Sequence, residues 1–311
     1  MDPILSFNGF SMLVFRCLLI TSACYLTSCS KSLNYVAEDS PKALAKVSEI
    51  YPKPKIALVL GSGGPRGYAH IGILKVLERN QVPIDMVVGS SVGSLVGAFW
   101  AAGYSADEIS EIASEGGPLT LFDFSIFLEK GWIKGQRLQD YVNGQFDNVK
   151  IEDLPKSLVI VATREIDGSP RFFQQGNLGV AVRASSAVKD VFAPVGINHV
   201  TYIDADESLP VAVEAARQAG ATFIIAIDVS AREGVAPKGT SKKQLKKDAL
   251  RRGRINPQVE IADFLLHPDL DYKAGPWKKY FKHAEKEGEK YAESMIEELL
   301  EAMNFKLNNL D

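Results

Sequence analysis

The sequence predicts an α/β fold built on a mainly parallel central sheet, and three observations predict it. Apolar runs of strand length recur along the chain: Ile56–Leu60, Met86–Val88, Leu158–Thr163 and Phe223–Ile227. They are near-continuous rather than alternating, as strands buried on both faces read. Two of them run straight into a glycine-rich turn and then into apolar residues at helical spacing, over Leu58–Leu77 and Met86–Ala102. Such units in immediate succession describe adjacent parallel strands whose C-terminal ends open on one crevice. The third observation is bulk: 311 residues, 46% hydrophobic and 23% charged, suffice for one large domain or one domain with additions. A net charge of -3 carries no whole-protein signature of a nucleic-acid partner.

Taken in order, the chain opens with Arg16 before the apolar run Cys17–Leu26, followed by Thr27-Ser28-Cys29. The run is too short for a bilayer, which needs ~20 apolar residues, and reads as a secretory signal. Leu26-Thr27-Ser28-Cys29 resembles a bacterial lipobox, which implies a signal peptide over residues 1–28 and lipidation of Cys29. An uncleaved anchor lengthened by Met12–Phe15, or a leader cut elsewhere, are the alternatives. All three cysteines, Cys17, Cys24 and Cys29, lie in this segment. Processing at Cys29 would leave the rest without a thiol, excluding disulfides and a cysteine nucleophile. The expected setting is the bacterial cell envelope, with two acyl chains holding the protein on a membrane surface facing the periplasm, the outer membrane included. Residues 29–53 are polar and read as a tether with a short helix over Lys42–Ile50.

The catalytic domain is expected over residues 54–230. After the first strand comes Gly61-Ser62-Gly63-Gly64-Pro65-Arg66-Gly67, then a helix with Ala69, Ile73, Leu74, Val76 and Leu77 on one face. The loop lacks the Lys-Ser/Thr ending of a phosphate-binding loop and the glycine spacing of a dinucleotide fingerprint. Backbone N–H groups aimed at a tetrahedral oxyanion remain as its use. The next turn is Gly89-Ser90-Ser91-Val92-Gly93, a Gly-x-Ser-x-Gly pattern with Ser91 at its centre. A strand–serine–helix turn is so tight that only small residues fit beside the serine, which leaves the hydroxyl exposed at the sheet edge. A plain Gly/Ser turn opening a helix is the bland alternative.

Ser105–Ala113 suits a helix with Ser105 as N-cap and Glu108 closing a capping box. Pro118–Gly135 is aromatic (Phe122, Phe124, Phe127, Trp132) and reads as core aromatics, or else as a lid or acyl-chain wall. A helix over Gln136–Phe146, the strand Leu158–Thr163 and a hairpin partner at Arg171–Gln175 follow. Val182–Val188 and Phe192–Val195 form a small-residue helix end and a proline-bearing stretch. Val200–Ile203 is a strand ending in Asp204, Pro210–Ala219 a helix with Pro210 in its first turn, and Phe223–Asp228 a buried strand. The C-terminal extension, residues 231–311, begins with a basic run from Lys238 to Arg254. It reads as a solvated helix face or as a patch for anionic head groups. Ala262–His267 is an edge strand and Trp277–Leu307 a long amphipathic helix.

A serine hydroxyl needs a base within hydrogen-bond reach. The chain holds four histidines, His70, His199, His267 and His283. A triad of Ser91, Asp204 and His267 is formally available. The other route is direct activation by Asp204, an acid at the C-terminal end of a strand, whose pKa a dry site would raise. No cluster has metal-ligand spacing, and no metal or cofactor is expected.

Five stretches in this order, Gly61–Gly67 with Ala69-His70-x-Gly72, Gly89–Gly93, Ala184–Ala187, Phe192–Val195 and Tyr202–Asp204, make the chain resemble the patatin-like phospholipases from about Lys55 to Asp228. The resemblance implies a three-layer α/β/α sandwich, a Ser–Asp dyad without histidine, and hydrolysis of lipid acyl esters of the phospholipase A, lysophospholipase or esterase kind. It makes Ser91 the nucleophile and Asp204 the dyad acid. Gly63, Gly64 and Val92 become the oxyanion hole, and a lipid or acyl ester the partner. Two departures stand beside the site. Ala205-Asp206 replaces the family's usual glycine-containing sequence after the aspartate, and Lys189-Asp190 replaces Pro-Gly. Ala205 cannot easily adopt positive φ, and Asp206 brings a second negative charge near Asp204. They motivate a rival reading, a patatin fold that binds lipid or a partner without turnover.

Overall fold

The computed structural model describes residues 34–35, 40–116, 123 and 130–309. The expected signal peptide, Cys29, Phe122, Phe124 and Phe127 lie outside the described residues. The elements, in chain order, are β1 (Asn34–Tyr35), β2 (Ala43–Leu44), β3 (Ile56–Leu60), α1 (Tyr68–Arg79), β4 (Met86–Ser90), α2 (Val92–Ala101), α3 (Ala106–Gly116), α4 (Gln136–Gln145), β5 (Ser157–Arg164), β6 (Pro170–Phe173), α5 (Leu178–Ser185), β7 (Val195–Ile197), β8 (Val200–Ile203), α6 (Val213–Gln218), β9 (Phe223–Ile227), α7 (Lys242–Val259), β10 (Phe264–Leu266) and α8 (Lys278–Asn308).

The strands form one sheet in the order β1-β7-β8-β5-β4-β3-β9-β10, with β6 joining β5 to β2. Its centre, from β5 through β4, β3 and β9 to β10, is parallel throughout. β6 and β8 add antiparallel pairings on β5. Successive strand residues face opposite sides, so each central strand feeds two cores. Leu58, Leu60, Val87, Leu158, Ile160 and Ile225 pack with α1, α2, α4, α5 and α8. Ala57, Val59, Val88, Val159, Val161 and Ala226 pack with α6 and with Ile255 of α7. Helices on both faces of the sheet give the three layers, and every residue of β3, β4 and β9 is buried.

The long α8 lies against α1, and two glycines set the approach. A Cβ on Gly72 would fall 1.9 Å from Glu285 O, and one on Gly288 would fall 2.3 Å from Ala69 O. Tyr68 stacks on Phe281 at 4.2 Å between ring centres. The ion pairs of Arg79 with Glu289 and Glu293 sit at the exposed edge of the seam. Exposed pairs contribute ~0–1 kcal/mol each, whereas burying one Leu or Phe contributes about 1.5–3 kcal/mol. Apolar burial therefore holds α8 on the sheet layer. Among the described residues no helix is long and apolar enough to cross a membrane.

Three expectations are corrected. Lys42–Ile50 is not a helix. Ala43 and Leu44 pair with Phe173 and Phe172, and Val47 N and Ser48 N donate to the side chains of Gln218 and Gln174. These long-range partners take the donors that a helix would have used internally. The helix expected from Pro210 starts at Val213 instead, because Pro210 O is engaged elsewhere, accepting from Ser62 N at 2.8 Å. Trp132 is 72% exposed, so it is no core aromatic. The basic run forms α7, capped by Ser241, whose side chain accepts from Gln244 N.

Candidate active site

β3 and β4 are neighbours in register, so the glycine loop and the serine turn leave the same edge of the sheet side by side. At the serine turn, Ser91 has φ 53° and ψ −123°. A non-glycine residue held there stores about 1–3 kcal/mol of strain, which the packing around it must balance. The neighbours supply that packing. A Cβ on Gly89 would lie 2.5 Å from Ser94 Cα, and one on Gly93 would lie 2.1 Å from Leu60 O. Ser94 Oγ donates to Ser91 O at 2.6 Å, and Ser91 N donates to Ser185 Oγ at 2.9 Å.

The turn aims Ser91 Oγ at Asp204 Oδ2, to which it donates at 2.8 Å. Ser91 is 6% exposed and Asp204 2%, so the hydroxyl is buried against the acid and not open at the sheet edge as the turn alone predicts. Asp204 directly follows β8 and is fixed on every side. Its N–H donates to Ala187 O at 2.9 Å, its carbonyl accepts from Thr163 Oγ1 at 2.7 Å, and its Oδ1 accepts from Asp206 N at 2.8 Å. Burial pushes its carboxyl up to about 7, and the Asp206 charge pushes the same way. The N–H of Asp206 and the Ser91 hydroxyl act against them. A carboxylate poised near neutrality is suited to accept a proton from the hydroxyl it touches.

The glycine loop lies beside this pair. Gly61 N and Ser62 N donate to Ile227 O and Pro210 O. The next two amides, of Gly63 and Gly64, donate to no acceptor among the described residues. Gly63 has room for no side chain, since a Cβ would meet Val229 Cγ2 at 2.6 Å. Val92 opens α2 directly after Ser91, adding helix-N-terminal amides to the same region. Free N–H groups beside a nucleophile are what a developing oxyanion requires.

The histidines are engaged elsewhere. His70 is fully buried, its Nε2 2.8 Å from Gly61 O, and burial pushes its pKa down to about 4. It is a neutral prop under the glycine loop. His267 Nε2 sits 3.0 Å from Ser230 O and 3.6 Å from Asp228 Oδ2, and His283 faces Asp271. His199 sits in the tight turn between β7 and β8 with φ 63°. Asp204 contacts Ser91 directly, with no imidazole between them.

The two departures resolve differently. Ala205 is buried at the start of a 3₁₀ turn (Ala205–Glu207) and needs no positive φ, so alanine fits. Asp190 does hold φ 63° in an exposed turn, the conformation a glycine adopts freely. Thr163 and Arg251 carried no local signal in sequence, and neither did the particular contacts made by Ser185 and Ser62, which lie within two of the recognised stretches. Ser62 Oγ donates to the Asp206 carboxylate, and Arg251 of α7 reaches both of them. Each acts through a partner 40 or more residues away, which local pattern cannot reveal.

Residues 58–206 match the profile of the family described as patatin-like phospholipase. An uncharacterised NTE family protein of Mycobacterium tuberculosis is 36% identical over 182 residues, 57% of this chain and 50% of that protein. Human patatin-like phospholipase domain-containing protein 6 is 30% identical over 204 residues, 63% of this chain and 15% of that protein. The chain thus spans about half the length of its mycobacterial relative. The crystal structure of VipD from Legionella pneumophila superposes with a TM-score of 0.54 at 14% identity, over 91% of this chain and 73% of that one, a likeness of fold. The matched segment runs from the strand before the glycine loop to the turn after Asp204, and over that segment the chain is similar to the patatin-like phospholipase family.

Proposed function

We propose that this protein is a serine hydrolase of lipid acyl esters, of the phospholipase A or lysophospholipase kind, working through a Ser91–Asp204 dyad. The observation that carries the reading is the 2.8 Å hydrogen bond from Ser91 Oγ to a buried carboxylate held near neutrality. Ser91 Oγ attacks the ester carbonyl while its proton passes to Asp204 Oδ2. The oxyanion is held by the N–H groups of Gly63, Gly64 and Val92. Collapse breaks the acyl–oxygen bond, and the departing alkoxide takes the proton from Asp204. Water then attacks the acyl-serine, gives a proton to Asp204, and Ser91 recovers it as the fatty acid leaves. A preorganised base contributes about 10²–10⁴-fold, and a donor to the oxyanion about 10²–10³-fold.

Turnover of lysophospholipid and phospholipid by the wild type, Ser91→Ala and Asp204→Asn tests the reading. Wild-type release of fatty acid, with a loss of about a thousandfold or more in both variants, supports it. A wild type that binds the same vesicles without releasing fatty acid favours the lipid-binding rival. The substrate class rests on the family and on relatives whose names include phospholipase.

The lipid anchor is a second part of the proposal, supported by Leu26-Thr27-Ser28-Cys29 after an apolar run. It holds the enzyme against its substrate on a membrane of the bacterial envelope. Metabolic labelling with palmitate is expected in the wild type and absent from Cys29→Ala; labelling that survives the substitution removes the anchor.

A further inference from the structure

The basic helix α7 does more than present charge to solvent. Arg251 turns inward from it. Its Nε donates to Asp206 Oδ1 at 2.7 Å, and its Nη2 donates to Ser62 O and to Ser62 Oγ, both at 2.9 Å. Ser62 Oγ in turn donates to Asp206 Oδ1. One guanidinium therefore ties together two loops that meet at the dyad. Ser62 directly precedes Gly63 in the glycine loop, and Asp206 donates its N–H to Asp204 Oδ1.

We propose that Arg251 is a positioning residue for the Ser91–Asp204 pair, fastening the oxyanion loop to the acid's loop through Ser62 and Asp206. The inference rests on the dyad reading. It gives Asp206 a role. Where the resemblance leads one to expect a small residue, the chain carries a carboxylate two residues from its base, and the carboxylate is tolerable because a cation from the C-terminal extension covers it. Two effects follow from the geometry. The clamp fixes how far the Gly63 and Gly64 amides stand from Ser91. It also offsets the Asp206 charge, which favours the protonated form of Asp204.

The other charges facing this corner do not replace Arg251. Arg254 donates to Asp206 O at 3.1 Å and lies 3.8 Å from Glu207, so it holds the backbone and the neighbouring acid rather than the Asp206 carboxylate. Glu207 raises the Asp204 pKa weakly. Arg66 lies near Arg251, but its Nε donates to Asp271 O at 3.0 Å and its Nη2 to Tyr272 O. Arg252, the next residue, is spent on Asp228 at 2.7 Å. Lysine does not serve as well, because the fork needs donors at fixed angles to a carboxylate and a carbonyl.

The test is the titration of Asp204, followed by carboxyl carbon-13 NMR with Asp204→Asn as the assignment control, beside the pH profile of kcat/KM. In Arg251→Ala the Asp204 midpoint is expected to rise by on the order of one pH unit, with the acidic limb of the profile moving alongside. Arg251→Ala/Asp206→Asn is expected to return the midpoint to or below that of the wild type. Arg251→Lys is expected to keep the midpoint and lower kcat by about ten- to a hundredfold through the lost fork. An unchanged midpoint in Arg251→Ala overturns the proposal, as does a rise that Asp206→Asn leaves in place. The NMR titration does not depend on turnover. A wild type without hydrolase activity would refute the dyad reading and still leave the clamp measurable.

Discussion

At the scale of the residue, the site turns on one carboxylate. Asp204 is buried, hydrogen-bonded by the serine it faces, and pushed up to about 7 mainly by burial and next by Asp206. A base must be ionised to accept a proton, so activity is expected to rise with pH through about 7, with the ionised form as the working one. Asp206→Asn removes the second of the two causes. The acidic limb of kcat/KM is therefore expected to move to lower pH in that variant, while the N–H donated to Asp204 Oδ1 is kept. A profile flat from pH 5 to 8 in the wild type, or a limb that moves upward in Asp206→Asn, contradicts the assignment. His70 illustrates the opposite sign of the same physics. Burial in a site with one carbonyl partner keeps it neutral, which makes it a support for Gly61 rather than a base.

At the scale of the element, α1 and α8 are paired through glycines rather than through charge. Gly72 and Gly288 leave no room for a methyl group, because the atoms a Cβ would strike are backbone atoms of the opposite helix. Gly72→Ala is expected to cost about 3 kcal/mol and lower Tm by several degrees, measured by thermal unfolding. Asn substitutions of Glu289 and Glu293, exposed partners of Arg79, are expected to shift it by less than about 1 kcal/mol each. Equal effects from the two kinds of change would mean that charge, not close approach, sets the seam. The same element supports the glycine loop from below, since α1 begins at Tyr68 directly after Gly67 and carries His70 to Gly61.

At the scale of the whole molecule, the sheet brings residues 61–67, 89–93 and 204–206 to one edge although they are far apart in sequence. The motifs, their strands and the parallel pairing of β3 with β4 are legible in the sequence because each is local: an apolar run, then a turn with the residues that such a turn requires. The direct approach of Asp204 to Ser91 follows from the strand end that carries it. The false helix at Lys42–Ile50 and the late start of α6 share a cause. Both segments spend backbone groups on partners more than 100 residues away in sequence, as Ser62 N on Pro210 O shows. Arg251 was hidden because its side-chain partners are also distant in sequence, leaving it one cation among eight in a run that reads as a solvated face. These parts converge on the proposed role of Ser91 as a nucleophile activated by Asp204. Fluorophosphonate labelling tests it most directly, with the modified residue located by peptide mass spectrometry and the labelling rate compared between wild type and Asp204→Asn. The expected result is a single adduct on Ser91, forming at least about a hundredfold more slowly in Asp204→Asn. An adduct on another residue, or one on Ser91 that forms as fast without the Asp204 carboxylate, would contradict it.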